Sequence, residues 1–193
     1  MRNSDCTLHS RCAHPVFAAS TQGTGAGLNT RCKRDSELEE KALTKARNTA
    51  YRLLTYRARS RKELEEKLKD REFGNAIIEA VVADLTRLGY VNDREFARQW
   101  AAGRIRLRGF GGRRIEQELR NKGISRDVIR ETLTEVFEDA PEADIAQQEA
   151  EKKLRSLSRF APEVRRRRLA GHLERRGFPS ETIYDVLRRV GAR

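Results

Sequence analysis

The apolar residues of this chain recur at helical spacing, and the same pattern appears three times. Each copy begins with two leucine-type residues four positions apart, followed five positions later by an aromatic or branched residue and then by a second apolar stripe. A period of about fifty residues predicts a tandem array whose units stack in line and present one extended surface. The aligned apolar positions are Leu64, Leu68, Phe73, Ile78, Val82 and Leu85; Ile115, Leu119, Ile124, Ile129, Leu133 and Val136; and Leu169, Leu173, Phe178, Ile183, Leu187 and Val190.

Helix signals divide the chain into an extension and three units. Residues 1–36 are rich in Ser, Thr, Gly and Asn and show no apolar period, which predicts a disordered N-terminal extension. Helix start and stop signals predict three helices in each of residues 37–90, 91–138 and 139–193. No stretch alternates apolar and polar residues over the length of a strand. We therefore predict an all-α fold, an elongated tandem array of three three-helix repeats.

The charge balance points to a polyanionic partner. The chain has 41 Lys and Arg against 29 Asp and Glu, a net charge of +12 and a pI near 10.2, which makes nucleic acid the natural candidate. Charges interrupt every apolar run, so we expect no membrane-spanning helix. All three cysteines lie in the extension, so no disulfides hold the repeats, which fits a cytoplasmic protein. We expect a monomer.

Several linked motifs follow one another along the chain: residues 59–64 (RSRKEL), 89–97 (GYVNDREFA), 108–111 (RGFG), 115–119 (IEQEL) and 122–124 (KGI). Together they resemble the RecX family of recombinase regulators, and the resemblance runs from about residue 43 to the C-terminus. It implies a right-handed array of three-helix units in the groove of a RecA filament on single-stranded DNA. It also implies that the protein restrains the filament's ATPase and strand exchange in homologous recombination, DNA repair and the SOS response. Single-stranded DNA within the filament, and duplex DNA weakly, are the implied nucleic-acid partners.

One position departs from the repeat pattern. Glu72 stands where the second and third units have Gly123 and Gly177. Because glycine favours turns that other residues avoid, this departure suggests a differently shaped turn in the first unit.

Recurrent and clustered cations are the candidate contacts. Lys62, Arg113 and Arg167 occupy one aligned position, and for the first two it falls in a helical turn where the dipole disfavours cations. An external phosphate or a solvated face would explain them. By contrast Arg71, Lys122 and Arg176 recur at helix C-termini, where a structural role is favoured. We predict nucleic-acid or filament contacts at Lys62, Arg106, Arg108, Arg113, Arg114, Arg166, Arg167 and Arg168.

Two of these clusters have alternative interpretations. The run 165–168 contains four arginines, which bind phosphates or form a solvated, salt-bridged face. Glycines in the loop 109–112 either let neighbouring arginines approach a nucleic-acid backbone or simply break the helix.

Phe96, Trp100 and Leu107 share one helical arc and are expected in the core. Arg104 lies on the same arc, which favours a buried ion pair.

Catalytic and metal chemistry find no support. The repeats contain no cysteine nucleophile, and His172 is their only histidine. The tail pattern Cys6, His9, Cys12 and His14 lacks a paired zinc-knuckle arrangement, so we predict no metal, cofactor or enzymatic activity.

Regulation of a recombinase filament is the leading hypothesis. The alternative is a sequence-independent architectural DNA-binding protein that acts without a recombinase.

Overall fold

A computed structural model describes the backbone of residues 26–191 and the side chains of residues 37–190. Within this range the regular elements are nine helices, and residues 39–191 belong to one compact unit. The prediction of an all-α fold of three tandem three-helix repeats is confirmed. The helices are α1 (Ala26–Tyr56), α2 (Arg61–Lys69) and α3 (Asn75–Arg87) in repeat 1; α4 (Asp93–Arg108), α5 (Gly112–Asn121) and α6 (Arg126–Asp139) in repeat 2; and α7 (Glu142–Arg155), α8 (Pro162–Arg176) and α9 (Ser180–Gly191) in repeat 3.

The first helix begins earlier than the apolar pattern indicates. It starts at Ala26, so residues 26–36 of the expected disordered extension are helical. This segment has no apolar stripe, but it also contains no proline, and its charged residues are compatible with a helix that continues from the core-facing part of α1. Residues 1–25, including the Cys and His pattern of the tail, lie outside the described residues.

Each repeat has its own apolar core, built from the residues that the periodicity marks. The middle helix of each repeat contributes two fully buried leucine-type residues, and the flanking helices cover them. Ile105 and Phe137 pack against the cores of both repeat 2 and repeat 3. The buried apolar residues of these three cores are Ala46, Ala50, Leu64, Leu68, Ile78, Val81, Val82, Leu85 and Val91; Phe96, Ala97, Ala101, Ile115, Leu119, Ile124, Ile129 and Val136; and Ile145, Ala146, Ala150, Leu169, Leu173, Phe178 and Val186.

One expected core residue lies outside the core. Leu107 is 73% exposed, although it shares a helical arc with the buried Phe96 and the partly buried Trp100. Ile105, on the opposite side of the helix, makes the core contact in this last turn of α4, against the cores of both repeat 2 and repeat 3. The expectation for Leu107 is therefore wrong, because periodicity does not show which side of the last turn the neighbouring elements cover.

Neighbouring repeats meet where the middle helix of one begins and the middle helix of the next ends. At the first junction the Ser60 hydroxyl donates to the carbonyl oxygen of Lys122 across 2.7 Å, and the Lys122 ammonium pairs with Glu63. Gly123 has a left-handed φ of 80°, and a Cβ there would lie 2.6 Å from the Cβ of Lys62. This close approach requires a glycine.

The second junction repeats this arrangement with different atoms. The Gly111 N–H donates to the carbonyl oxygen of Arg176 across 2.9 Å, and the Arg113 N–H donates to that of Gly177 across 3.1 Å. Gly177 has a φ of 88°, and a Cβ there would lie 2.5 Å from the Cβ of Arg114. The end of α8 therefore packs against the start of α5, as the end of α5 packs against the start of α2.

These junctions explain the departure at Glu72. Its φ of 63° lies in the same left-handed region as those of Gly123 and Gly177, so the turn keeps that conformation without a glycine. The difference from the other turns is confined to the helix end, since α2 stops at Lys69, one aligned position earlier than α5. Glu72 is exposed, and within the described residues no further repeat packs against its turn. Glycine is needed where a neighbouring repeat comes close, and a side chain is tolerated where none does.

Candidate nucleic-acid interface

A basic groove lies between repeats 2 and 3. The end of α4 forms one wall together with the loop that follows it, and α7 and α8 form the other. Its only acidic residue is Glu149, so the groove carries a strong excess of positive charge. The cations that line it are Arg106, Arg108, Lys152, Lys153, Arg175 and Arg176.

Glu149 is buried and fully engaged by two of these cations. Its carboxylate lies 2.9 Å from the Arg176 guanidinium and 2.8 Å from the Lys152 ammonium, and its side chain is 8% exposed. Burial alone would raise the pKa of Glu149, but the hydrogen bonds from Lys152 and Arg176 outweigh burial and lower the pKa below its ordinary value. Glu149 is therefore ionised at neutral pH. It holds α7 against the end of α8 and presents little negative charge to the groove.

The other four cations of the groove remain available. Arg106, Arg108, Lys153 and Arg175 form no ion pair with any residue that the structure describes. An unpaired cation at a protein surface retains its hydration shell and can exchange it for a phosphate contact. These four residues, hereafter the free groove cations, are therefore the ones best suited to an anionic ligand.

Uncharged side chains also line the groove, among them Leu107 and His172. The exposed Leu107 lies between Arg106 and Arg108 in the chain. Burial lowers the pKa of His172, and the nearby Arg176 and Lys153 lower it further, so this imidazole is neutral at pH 7. The groove thus offers apolar and aromatic surface beside its cations.

The glycine loop is a structural turn rather than an open approach for a ligand. Gly109 ends α4 in the left-handed region, where a Cβ would lie 2.5 Å from Glu149 Cδ. The backbone N–H of Gly111 bonds to repeat 3 across the junction, and that of Gly112 donates to the Glu142 carboxylate across 2.6 Å. Burial raises the pKa of Glu142, which the hydrogen bond from Gly112 opposes. Of the two interpretations left open, the geometry favours the turn.

The predicted contact residues fall into separate places. Arg106 and Arg108 lie in the basic groove. Arg113 is exposed at the start of α5, and Arg114 beside it lies 3.6 Å from Glu118. Lys62 lies at the first junction. Its ammonium donates a hydrogen bond to the carbonyl oxygen of Asn121 in the next repeat, across 3.4 Å.

The arginine run lies near the start of α8, whereas the end of this helix lines the groove. Arg166, Arg167 and Arg168 are all exposed, and the first two have no ion-pair partner within the described residues. The Arg168 guanidinium lies 4.0 Å from the centre of the Phe160 ring, a cation–π contact that orients it. From Arg167 to Arg175 the helix rises by about 12 Å, so run and groove are two distinct basic patches.

Other sequence expectations are confirmed. Arg104 forms the expected ion pair, with its Nε 2.6 Å from Glu118, and its guanidinium lies over the Trp100 ring at 4.2 Å. Lys122 pairs with Glu63 across the first junction and Arg176 with Glu149 inside repeat 3, as their positions at helix ends favoured. Arg71 is exposed and forms no ion pair with any described residue, so its structural role stays a prediction. The sequence did not predict that Lys153, Arg175 and Arg106 line one groove. These residues lie on three different helices, and the sequence does not show how the helices pack.

Within the described residues, no helix is long and apolar enough to cross a membrane. The fold and the basic surfaces define a tandem three-helix-repeat protein suited to an anionic partner. Comparison with known proteins identifies its family. Models of the first, second and third three-helix domains of RecX match residues 46–85, 92–133 and 141–187, and the chain belongs to the RecX family.

Relatives named regulatory protein RecX are similar to this chain over most of its length. Regulatory protein RecX of Corynebacterium efficiens is 40% identical over 161 residues, which cover 81% of this chain and 76% of the relative. That of Mycolicibacterium smegmatis is 39% identical over 146 residues, covering 74% and 77%. The crystal structure of RecX from Lactobacillus salivarius has a TM-score of 0.72 at 22% identity, covering 80% of this chain and 99% of that one. Another RecX crystal structure gives a TM-score of 0.74 at 22% identity, covering 88% and 81%, and both support the fold.

Proposed function

We propose that this protein binds the RecA filament on single-stranded DNA and inhibits its ATPase and strand-exchange activities. The observation that carries the proposal is the match of all three RecX domains, because its relatives are named as regulatory proteins. The protein would act in the cytoplasm as a monomer, during recombination, DNA repair and the SOS response. It would need no cofactor or metal and would catalyse no reaction itself.

The separate basic patches support a large anionic target. The groove, the start of α5 and the arginine run present cations in repeats 2 and 3, and Lys62 adds one in repeat 1. A nucleoprotein filament offers DNA phosphates over a long distance, so cations spread along a tandem array can bind it together. We assign these contacts to Arg106, Arg108, Arg113, Arg114, Arg166, Arg167 and Arg168. Lys62 is the weakest candidate of the set, because its ammonium already donates to the carbonyl oxygen of Asn121.

A titration of recombinase activity tests the proposal. Added at concentrations below that of RecA, the protein should reduce DNA-dependent ATP hydrolysis and slow strand exchange. The protein alone should hydrolyse no ATP. An unchanged ATPase rate across a full titration would overturn the proposal and favour the alternative, a sequence-independent architectural DNA-binding protein.

A further inference from the structure

We infer that the groove between repeats 2 and 3 is a binding site for single-stranded nucleic acid, with phosphates on its free cations and an unpaired base against Leu107. The inference rests on the proposed function and deepens it, because it gives the single strand a defined place on this chain. Two independent features carry it: the arrangement of charge in the groove and its exposed apolar residue.

The charge arrangement suits a phosphodiester chain. Arg106 and Arg108 stand on the α4 wall, and Lys153 and Arg175 stand on the opposite wall, so a strand lying in the groove meets cations on both sides. Glu149 does not repel it, because its buried carboxylate is already neutralised by two other cations. Each phosphate contact would release condensed counterions and make binding weaken as salt rises.

Leu107 distinguishes a single strand from other anions. Its side chain is 73% exposed within the groove and flanked in sequence by two cations. The faces of unpaired bases are apolar and accessible, whereas a duplex stacks them inside and presents phosphates and sugars. Phe110 is not equivalent, because the Arg114 and Arg176 guanidiniums lie 5.6 and 6.0 Å from its ring centre.

Two matched triple variants test the groove. The first replaces the exposed Arg106, Arg108 and Arg175 by Gln. The control replaces three exposed cations outside the groove that form no ion pair within the described residues, Lys69, Arg126 and Arg189, and so removes the same net charge. Binding of a fluorescent oligodeoxythymidylate, followed by anisotropy without any recombinase, should weaken strongly for the groove variant. The slope of log affinity against log salt should flatten by about 2, as expected for three lost single-strand contacts.

Leu107→Ala tests the base contact separately. It should weaken oligodeoxythymidylate binding by about fivefold and leave the affinity for a duplex of the same length unchanged, because only unpaired bases reach an apolar side chain. Circular dichroism should show an unchanged helix content, since Leu107 lies outside the core. Equal losses for single strand and duplex would overturn the base contact.

The outcomes separate this inference from the proposed function. Equal weakening by the groove and control variants would overturn the groove site and leave only long-range attraction. A groove variant that binds the oligonucleotide normally but no longer inhibits the RecA ATPase would also overturn it, because the groove would then contact the recombinase itself. Selective loss of oligonucleotide binding, in a protein that never affects the ATPase, would support the groove and reject the proposed function.

Discussion

At the scale of single residues, a left-handed φ requires glycine at position 177 but tolerates a side chain at position 72. Gly177→Ala should destabilise the protein by about 2 to 4 kcal/mol, because it combines left-handed strain with a clash against Arg114. Glu72→Gly should change stability by less than about 1 kcal/mol, because relief of strain is offset by greater freedom of the unfolded chain. Urea unfolding measures both. Equal effects would contradict the junction as the reason for glycine.

Glu149 links stability to pH. Because its folded-state pKa is lowered, its contribution is present above the unfolded value of about 4.5 and is lost as pH falls through the folded value. Glu149→Gln should therefore cost about 1 to 2 kcal/mol at neutral pH, and the difference from the unmodified protein should shrink below pH 4.5. Glu174→Gln, an exposed change on α8, serves as the control. A pH-independent difference for Glu149→Gln would contradict the ion cluster.

At the scale of elements, Ser60 joins two repeats as well as capping a helix. Its hydroxyl accepts the Glu63 N–H and donates to Lys122, whereas Ser125 caps α6 by accepting from Val128. Ser60→Ala should thus cost about 1 kcal/mol more than Ser125→Ala, whose loss is that of a cap alone.

Tryptophan emission reports on the same junction. The Lys122 ammonium lies 4.5 Å from the centre of the Trp100 ring, so loosening the Ser60 contact should shift the emission of the single tryptophan. The emission of Ser125→Ala should stay as it is in the unmodified protein. A common shift in both variants would show that Trp100 does not sense the junction.

Sequence reasoning predicted local features better than contacts between repeats. The buried pair Leu64 and Leu68 follows from helical periodicity, and the Arg104 ion pair from a shared arc. Leu107 was placed wrongly because the period does not show that Ile105, on the other side of α4, meets the cores in that turn. The basic groove depends on how repeats 2 and 3 meet, and that junction is set by backbone contacts with no signature in composition or spacing.

For the whole molecule, the central claim is that a recombinase filament is the target rather than DNA alone. The most direct measurement compares two titrations under one set of salt conditions: RecA ATPase inhibition and binding of naked single-stranded DNA. The account predicts half-maximal inhibition at concentrations where naked DNA is scarcely bound, because the filament supplies contacts beyond the phosphates in the groove. Inhibition that develops only as naked DNA becomes saturated would contradict it, since competition for DNA would then explain the effect.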